Sequence, residues 1–571
     1  MGPLVGLLLA FVPLPGTTSV SVPLSPPNAC GRCHGGFDPD DAFTGWSGSA
    51  MGHAVRDPAF LAAVTIAEQD QPGIGDLCYR CHAPEAWLQL RCIPSNGSRI
   101  LPTDSGVTCS ACHRMKPTPW VRNAQYIVAD DTIMRGPYGS EFAPHQNERS
   151  TFLSSAELCG TCHNFTNPLR RRHDPTTKQP LPYPFAEQTT YWEWQASAFA
   201  QPGGKSCIDC HMKTSTGSVA STAGVRTDRS SHRIVGSNVF LLDAIDLLEP
   251  ELELTDTLAA SKAELRAQLQ TAATLELRAP PGLTLARGQR QTLTVRVTNE
   301  TGHKLPSGYP EQEVFLAFRS EALGVDRGAL DPRTRLPVEP LAVYRTVQGQ
   351  HDVGPSFHLA LADTVFYDNR IPPRGMVSTA TIAPVGYVYP EVSPGVLAHW
   401  DDVALELEVP CDFVGDAVDG ELELLHLSLH QPYVDFLLAN NEASTPRGRR
   451  LADAWDSAPA VPERITRLAF SLPVAAEACP PPDAGVVDTG VVEAPDAAAV
   501  DGAVALVDAG AVARDAAAVV DAGAGDEGGG CGCGVASGPR GLGEAAALLG
   551  LVALGRRRRS VDPARRGARR A

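Results

Sequence analysis

The clearest alternation of apolar and polar positions lies in the C-terminal half of the chain, between residues 275 and 475. Segments such as QTLTVRVTN, EVFLAFRS, VALELEVP and ELELLHLSLH alternate or run apolar, and turn-forming residues separate them. A period of two is typical of strands that bury one face. We therefore predict an antiparallel β-sandwich, Ig-like in general character, over residues 275–479.

The pattern changes upstream of this region. Residues 241–274 carry apolar side chains near helical spacing, which predicts a helical connector. Residues 23–240 are rich in Gly, Pro, Ser and Thr, and PAFLAAVTIAEQ after Asp57 predicts one helix among few long apolar periods. A chain this poor in core-forming side chains buries little apolar surface by itself, so its core needs another source of apolar contact.

The N-terminus has the composition of a targeting segment. The apolar run MGPLVGLLLAFVPLPG is too short to span a membrane and is typical of a secretory signal, which we place at residues 1–22. The usual basic segment is missing, because the first Arg or Lys is Arg32. A displaced start and a buried first strand remain alternatives.

The C-terminus is of low complexity. Residues 480–530 are rich in Asp, Ala, Pro and Gly and cannot bury enough surface to fold, which predicts a disordered linker. Residues 531–571 combine Cys531 and Cys533, a short apolar stretch and an Arg cluster. This order is similar to the myxobacterial C-terminal sorting signal, which implies processing near these cysteines, membrane association and retention at the cell surface. A frayed tail with a metal-binding CGC is the alternative.

The charge balance bears on the partners. The formal net charge is −17, and residues 480–530 hold ten acids and one Arg. The Arg cluster at the C-terminus does not extend into the rest of the chain as a basic stripe. This distribution argues against nucleic acid as a partner.

The cysteines carry the strongest chemical signal. Ten of the fifteen fall into five copies of CxxCH, the attachment motif of c-type haem. Two thiols three residues apart each form a thioether with the porphyrin, and the following His becomes the proximal iron ligand. The copies are Cys30, Cys33 and His34; Cys78, Cys81 and His82; Cys109, Cys112 and His113; Cys159, Cys162 and His163; and Cys207, Cys210 and His211.

A redox dithiol or half of a zinc site is the alternative for any single copy. Zinc chemistry does not require a His after every second Cys, so five complete copies point to haem. We predict a pentahaem cytochrome c domain over residues 23–240, with five covalently bound haem c groups. The porphyrins would supply the missing apolar core, with short helices and long loops around them.

Ten histidines remain for the distal side of the irons. His53, His145, His173 and His232 lie in the N-terminal region, and His303 follows in the turn-rich loop TNETGHKLPSGYP between two predicted strands. We predict these five as distal ligands, which implies mainly bis-His haems of low potential. Alternatively, His173 is a surface residue in a solvated basic loop, and His303 is a turn residue at the interface between the two domains.

Other side chains are weaker candidates. Met51, Met115, Met134 and Met212 are available as axial ligands, but Met115 and Met212 lie too close behind their own motifs to reach the opposite face of one haem. His426 and His430 lie on a predicted strand and are interpreted as structural. Cys411 and Cys479 are candidates for a disulfide, with Cys92 as an alternative partner or a free thiol.

Residues 28–320 resemble the multihaem cytochromes related to the tetrahaem electron carriers of ammonia oxidisers and, more distantly, hydroxylamine oxidoreductase. The matching segments are GWSGSAMGHA, GVTCSACH, GPYGSEFAPH, AELCGTCHNF, YWEWQASAFAQPGGKSCIDCHM, RSSHRIVGSN and TGHKLPSGYP. The resemblance implies distal ligation by His53 and His145. Every motif here ends in His, and no tyrosine is assignable to the cross-link of hydroxylamine oxidoreductase.

These features favour an exported electron carrier of the cell surface or periplasm. Its partners would be redox proteins or extracellular acceptors, and no catalytic residue is assigned. The alternative is an oxidoreductase that acts on a small nitrogen or sulfur compound at one open haem.

Overall fold

Short helices dominate the first 270 residues and strands dominate the rest of the chain. The structure, a computed structural model, describes residues 12–139, 143–441, 445–477 and 479. The predicted linker 480–530 and sorting segment 531–571 lie outside the described residues. The helices are α1 (Pro27–His34), α2 (Ala42–Ser47), α3 (Pro58–Asp70), α4 (Gly75–His82), α5 (Pro84–Leu88), α6 (Cys109–His113), α7 (Ala156–Gly160), α8 (Thr190–Gln195), α9 (Cys207–His211), α10 (Val239–Leu248), α11 (Thr255–Leu269), α12 (Gln431–Asn440) and α13 (Pro446–Ser457).

The strands form several small sheets and two larger ones. They are β1 (Met115–Lys116), β2 (Ile127–Val128), β3 (Met134–Gly136), β4 (Asn147–Arg149), β5 (Phe165–His173), β6 (Pro180–Gln188), β7 (Thr214–Ser218), β8 (Val225–Ser230), β9 (Ala273–Arg278), β10 (Arg290–Asn299), β11 (Glu313–Ser320), β12 (Val325–Arg327), β13 (Ala342–Tyr344), β14 (Thr346–Gln350), β15 (Gly354–Pro355), β16 (Thr364–Asp368), β17 (Glu391–Ser393), β18 (Val396–Leu397), β19 (Trp400–Glu408), β20 (Ala417–Leu427) and β21 (Glu463–Pro473).

Local signals explain the short helices of the N-terminal region. The helix predicted after Asp57 is present as α3, where the Asp57 carboxylate accepts hydrogen bonds from two backbone N–H groups and Pro58 occupies the first helical position. Four CxxCH motifs end helices α1, α4, α6 and α9, and the fourth motif begins at Cys159 within the last turn of α7. Thr108 caps α6, and Ser206 and Asp209 form a capping box at α9. Each motif is therefore held in a defined helical turn.

Residues 12–22, which belong to the predicted signal, pack against this region. The Val12 N–H donates to Asp76 Oδ2 at 3.2 Å, and Arg80 Nη2 donates to the Val12 carbonyl at 2.7 Å. The Thr17 N–H donates to the Tyr126 carbonyl at 2.9 Å. A signal that ends at residue 22 stays a prediction.

Two antiparallel sheets form the C-terminal region. One has the strand order β19–β10–β9, and the other runs β12–β11–β20–β21 with β13 also paired to β11. Alternate side chains of both sheets meet in one apolar cluster, with Val295 and Leu405 from the first sheet and Leu316 and Leu424 from the second. The Ig-like classification stays a prediction. A disulfide joins Cys411 to Cys479, and Cys92 is a buried free thiol.

Two helices interrupt the region that the sequence predicted as β throughout. Helices α12 and α13 follow β20, and each begins with Pro at an early helical position. Their apolar faces share a cluster with Ala62 and Ile66 of α3. The Asn441 side chain donates to the Ala62 carbonyl at 3.1 Å. These helices thus pack the C-terminal region onto the N-terminal one, which local strand patterns do not reveal.

Candidate cofactor-binding cavity

One large cavity lies between the short helices of the N-terminal region and the β10–β11 loop. Its volume is about 1750 Å³, which exceeds the roughly 300–1,000 Å³ of an ordinary small-molecule pocket. Both cysteines and the histidine of all five CxxCH motifs line it. Most of the remaining wall is apolar, with Phe43, Trp46, Leu241 and Leu305 among the lining side chains. The region whose side chains form little core of their own therefore encloses space for large apolar groups.

Thiols of different motifs lie next to one another along this cavity. Side-chain contacts join Cys30 to Cys109, Cys81 to Cys162 and Cys159 to Cys207. The first motif thus adjoins the third, and the fourth adjoins both the second and the fifth. Burial raises the pKa of Cys112 to about 12, which keeps an unmodified thiol there neutral.

Three pairs of histidines face each other across the cavity. The ring centroids are 6.3 Å apart for His34 and His145 and for His113 and His232, and 6.4 Å apart for His211 and His303. A metal–imidazole nitrogen bond is about 2 Å long and the ring centre lies about 1 Å beyond it, so two rings on opposite sides of one metal ion have centres about 6 Å apart. Each pair joins one motif histidine to one predicted distal histidine at this spacing.

The motif histidines of these pairs are oriented by the backbone. Because a carbonyl oxygen only accepts, Nδ1–H of His34 donates to Val219 O at 2.7 Å, that of His113 to Arg135 O at 2.5 Å and that of His211 to Val235 O at 2.5 Å. This fixes the tautomer and leaves the Nε2 lone pair of each ring available to a metal.

The opposing histidines are oriented in the same way. Nδ1–H of His145 donates to Gln146 O at 3.1 Å, that of His232 to Ser230 O at 3.1 Å and that of His303 to Lys304 O at 2.9 Å. Burial lowers the pKa of His232 to about 4, which keeps that ring neutral and able to ligate at neutral pH.

A buried ion network places His303 in the cavity wall. The side chain of Lys304 is fully buried, and its Nζ lies 2.7 Å from Asp368 Oδ2. The Lys304 N–H and the Ser307 hydroxyl donate to the Glu193 carboxylate at 3.0 and 2.6 Å. Glu193 belongs to α8, between the fourth and fifth motifs, and Arg370 pairs with both acids. The Lys304 N–H and the Ser307 hydroxyl therefore join the loop to α8, and the Lys304 side chain joins it to Asp368 of β16.

The structure places His53 and His173 outside the cavity lining. His53 is buried, and its Nε2 lies 2.7 Å from the Ser47 carbonyl within the same chain segment. Burial lowers the pKa of His53 to about 4. His173 lies at the end of β5, where its ring stacks on His351 at 3.8 Å. Neither faces a motif histidine across the cavity, and iron ligation by His53 and His173 stays a prediction.

The histidines of the second and fourth motifs have a different environment. The ring of His82 stacks on Phe60 with centroids 3.8 Å apart, and its Nδ1 lies 3.4 Å from Ala54 O. Burial lowers the pKa of His82 and of His163 to about 4. Among the described residues no histidine ring stands across from either at the spacing of the three pairs.

Sequence reasoning missed His426, which lines the same cavity from strand β20. It is 2% exposed; its Nε2 lies 3.0 Å from Gln312 Oε1, and its Nδ1 has no hydrogen-bond partner in the described chain. Burial lowers its pKa to about 4, so the ring is neutral and Nδ1 keeps a free lone pair. The strand alternation indicated an inward side chain, but not that it reaches this cavity.

Two further polar side chains line the cavity, Glu187 at the end of β6 and Tyr309 in the β10–β11 loop. Burial, with a smaller contribution from Glu311, raises the pKa of Glu187 to about 8, so the carboxyl group carries a proton at neutral pH. Tyr309 shares a hydrogen bond with Tyr433 of α12, and burial raises its pKa. The cavity thus holds proton donors besides its histidines.

Similarity between this chain and known proteins is confined to distant likeness to solved structures. No protein-family model and no curated protein matches the chain. A penta-heme cytochrome c552 from Thermochromatium tepidum is similar at 16% identity over 81% of this chain and 100% of that one, with a TM-score of 0.44. AvmM, which catalyses macrocyclization in alchivemycin A biosynthesis, is matched at 10% identity over 37% of this chain and 92% of that one, with a TM-score of 0.16. Similarity of this extent carries no argument, and the function is therefore inferred from the residues of the cavity.

Proposed function

We propose that this chain is an exported pentahaem c-type cytochrome that transfers electrons between protein partners or to an extracellular acceptor. The observation that carries the proposal is the set of three imidazole pairs, spaced for one metal ion each, in a single cavity lined by all five CxxCH motifs. A zinc site or a redox dithiol requires neither the opposing histidines nor a cavity of about 1750 Å³.

The side chains present fit the group that the motifs imply. The paired cysteines would form the thioethers, and the motif histidines would be the proximal ligands. His145, His232 and His303 would hold three of these groups together with His34, His113 and His211. Each haem c, when bound, supplies an iron that takes up and releases one electron.

The chain sets the conditions for that chemistry. Hydrogen bonds from Nδ1–H to backbone carbonyls hold the rings and raise the basicity of Nε2. Two imidazole ligands favour a lower reduction potential than an axial Met does. Contacts between thiols of different motifs place neighbouring attachment sites side by side, which favours transfer from site to site. The apolar wall excludes water from the path.

The proposed location rests on separate features. The N-terminal apolar run and the C-terminal Cys and Arg segment motivate export and retention at the cell surface. The disulfide between Cys411 and Cys479 is typical of an oxidising compartment. Within the described ranges no helix combines the length and apolarity that a membrane crossing requires.

A second candidate function is reduction or oxidation of a small nitrogen or sulfur compound at the second or fourth site. The observation that favours it is His426, with a buried unpartnered Nδ1 in the wall of a cavity where His82 and His163 lack an opposing histidine in the described chain. Glu187 and Tyr309 line the same cavity and would hold protons for such a reaction.

Intact-mass spectrometry and a pyridine haemochrome assay on the purified chain test the cytochrome proposal. We expect five covalent haems, and four when both Cys207 and Cys210 are changed to Ala. A protein without covalent haem, or one with stoichiometric zinc in the thiols, would overturn it. Paramagnetic resonance of the oxidised protein then separates the two candidate functions, because the second requires a high-spin iron.

A further inference from the structure

A second cluster of metal-ligating side chains lies outside the haem cavity. His173 ends β5, His351 follows β14 and Asp363 precedes β16, so three distant segments of the chain meet there. Their ligand atoms all lie within 4.8 Å of one another. The two imidazole rings stack with centroids 3.8 Å apart and planes 13° from parallel. None of these residues lines the cavity described above.

The Asp363 carboxylate is oriented by its other contacts. Its Oδ1 accepts hydrogen bonds from the His351 N–H and from the Thr364 hydroxyl, each at 2.8 Å. Its Oδ2 is left facing the two rings, 2.7 Å from His351 Nδ1 and 3.3 Å from His173 Nδ1. Hydrogen bonds to Oδ1 thus orient the carboxylate and leave Oδ2 facing the two imidazole rings. Hydrogen bonds from surrounding residues orient metal-binding carboxylates in the same way.

His173 is the member that hydrogen bonding leaves unexplained. Its N–H donates to the Asp363 carbonyl at 2.8 Å, which fixes the backbone beside the cluster. Its Nδ1 is buried, and its 3.3 Å approach to Asp363 Oδ2 is not a hydrogen bond in the described chain. A buried polar atom without a hydrogen bond costs free energy. The side chain of His351 is 30% exposed, so an ion and a water ligand can reach the cluster from solvent.

We propose that His173, His351 and Asp363 bind a divalent transition-metal ion, Zn²⁺ by the chemistry of the set. The ligands are Nδ1 of both histidines and Oδ2 of the aspartate, and water completes a four-coordinate site. In the complex each imidazole is bound through Nδ1 and carries its one proton on Nε2. The ion replaces the missing hydrogen bond of His173.

The site has a structural consequence. His173 belongs to the hairpin β5–β6 that follows the fourth motif, whereas His351 and Asp363 belong to the sheet β15–β14–β16 of the C-terminal half. One ion bound by all three joins these segments. Because the ion binds the folded chain only, zinc raises the unfolding free energy by RT ln(1 + c/Kd), where c is the free zinc concentration, and this gain grows with the logarithm of c above Kd.

Isothermal titration of the chelator-treated holoprotein with Zn²⁺ tests the proposal. We expect one high-affinity equivalent of Zn²⁺ in the wild type. His173→Gln should lower the affinity by more than about 100-fold, because loss of a metal ligand weakens binding more than loss of a residue that only hydrogen-bonds to a ligand. His358→Gln is the matched control: His358 Nδ1 lies 2.8 Å from Asp70 Oδ2 with similar exposure, but its pair has no second histidine. That control should bind zinc like the wild type.

Diffraction data collected on both sides of the zinc absorption edge locate the ion independently of iron. An anomalous peak within bonding distance of the three side chains supports the site. Absence of the tight equivalent, a peak elsewhere, or unchanged affinity in His173→Gln overturns it. Asp363→Asn keeps an oxygen for Thr364, so it provides a second test if the histidine variant loses its native haem spectrum.

Discussion

The imidazole rings of His211 and His303 face each other with centroids 6.4 Å apart and planes 24° from parallel. His211 ends the helix of the fifth motif, whereas His303 lies in the loop between β10 and β11. The ion network of Lys304 holds that loop against α8. The two halves of the described chain therefore meet at a spacing that one metal ion fills.

Replacement of His303 by Ala should remove one axial ligand. We expect unchanged covalent haem content, because the thioethers are intact, and one low-spin signal converted to a high-spin signal in the oxidised protein. His303→Met should keep a low-spin iron and raise its potential. Paramagnetic resonance and redox titration measure these effects. His399→Ala is the control, because the His399 ring packs edge-to-face with Trp400 and does not line the cavity. An unshifted spectrum in His303→Ala would show that this histidine is only a turn residue.

Replacement of Lys304 by Met tests the anchor of the loop. Asp368 and Glu193 would keep only Arg370 as a cationic partner, and removal of one member of a buried ion pair costs about 3–5 kcal/mol. Chemical denaturation should show that loss. Arg319→Met should change the unfolding free energy by less than about 1 kcal/mol, since Arg319 pairs with Asp326 in solvent. Equal effects of the two substitutions would contradict the role of Lys304.

Local chemistry explains what the sequence could predict of this site. CxxCH places three cofactor contacts in one helical turn, so contiguous residues specify them. His145, His232 and His303 followed from a count of the histidines needed, and each stands opposite a motif histidine. Their partners could not be derived, because the pairing depends on how distant loops fold over the cavity.

His53 and His426 show the limit of that reasoning. His53 lies near the first motif in sequence, but its Nε2 lies 2.7 Å from the Ser47 carbonyl of the same segment, and its Nδ1 has no hydrogen-bond partner in the described chain. His426 lies on a strand far from any motif, and the packing of β20 onto the N-terminal region brings it to the cavity. Alternation along a strand reveals which face a side chain occupies, and tertiary packing decides what that face meets.

The buried His53 should make stability depend on pH. Burial lowers its pKa to about 4 in the folded chain, whereas an unfolded histidine titrates near 6.5. The unfolded chain therefore binds an additional proton between these values, and stability falls as pH decreases from about 6.5 to 4. His53→Gln should reduce this fall by up to about 3 kcal/mol, with a low-spin spectrum like that of the wild type. Denaturation at pH 7 and pH 4.5, compared between the two proteins, measures it. Loss of a low-spin signal in the variant would instead make His53 an iron ligand.

The disulfide should stabilise the C-terminal region without affecting the haem sites. It joins residues 68 positions apart and lies beside Gly288, at the end of the sheets away from the CxxCH motifs. Cys411→Ser with Cys479→Ser should lower the unfolding free energy by about 2–5 kcal/mol. The visible spectrum and the haem count should stay those of the wild type. A changed haem spectrum would contradict this separation of the two regions.

The spin state of the irons and the effect of replacing His426 distinguish an electron carrier from an enzyme. If the second or fourth iron is open, the oxidised protein should show a high-spin signal that nitrite or hydroxylamine perturbs. His426→Phe should then weaken hydroxylamine binding by about 2- to 10-fold, because the free Nδ1 lone pair can accept one hydrogen bond from that ligand, worth about 0.5–1.5 kcal/mol. His430→Gln is the control, since His430 pairs with Glu311 and does not line the cavity. Spectral titration measures both affinities. Five low-spin irons that nitrite leaves unchanged would remove the site for substrate, and His426 would then be a structural residue of an electron carrier.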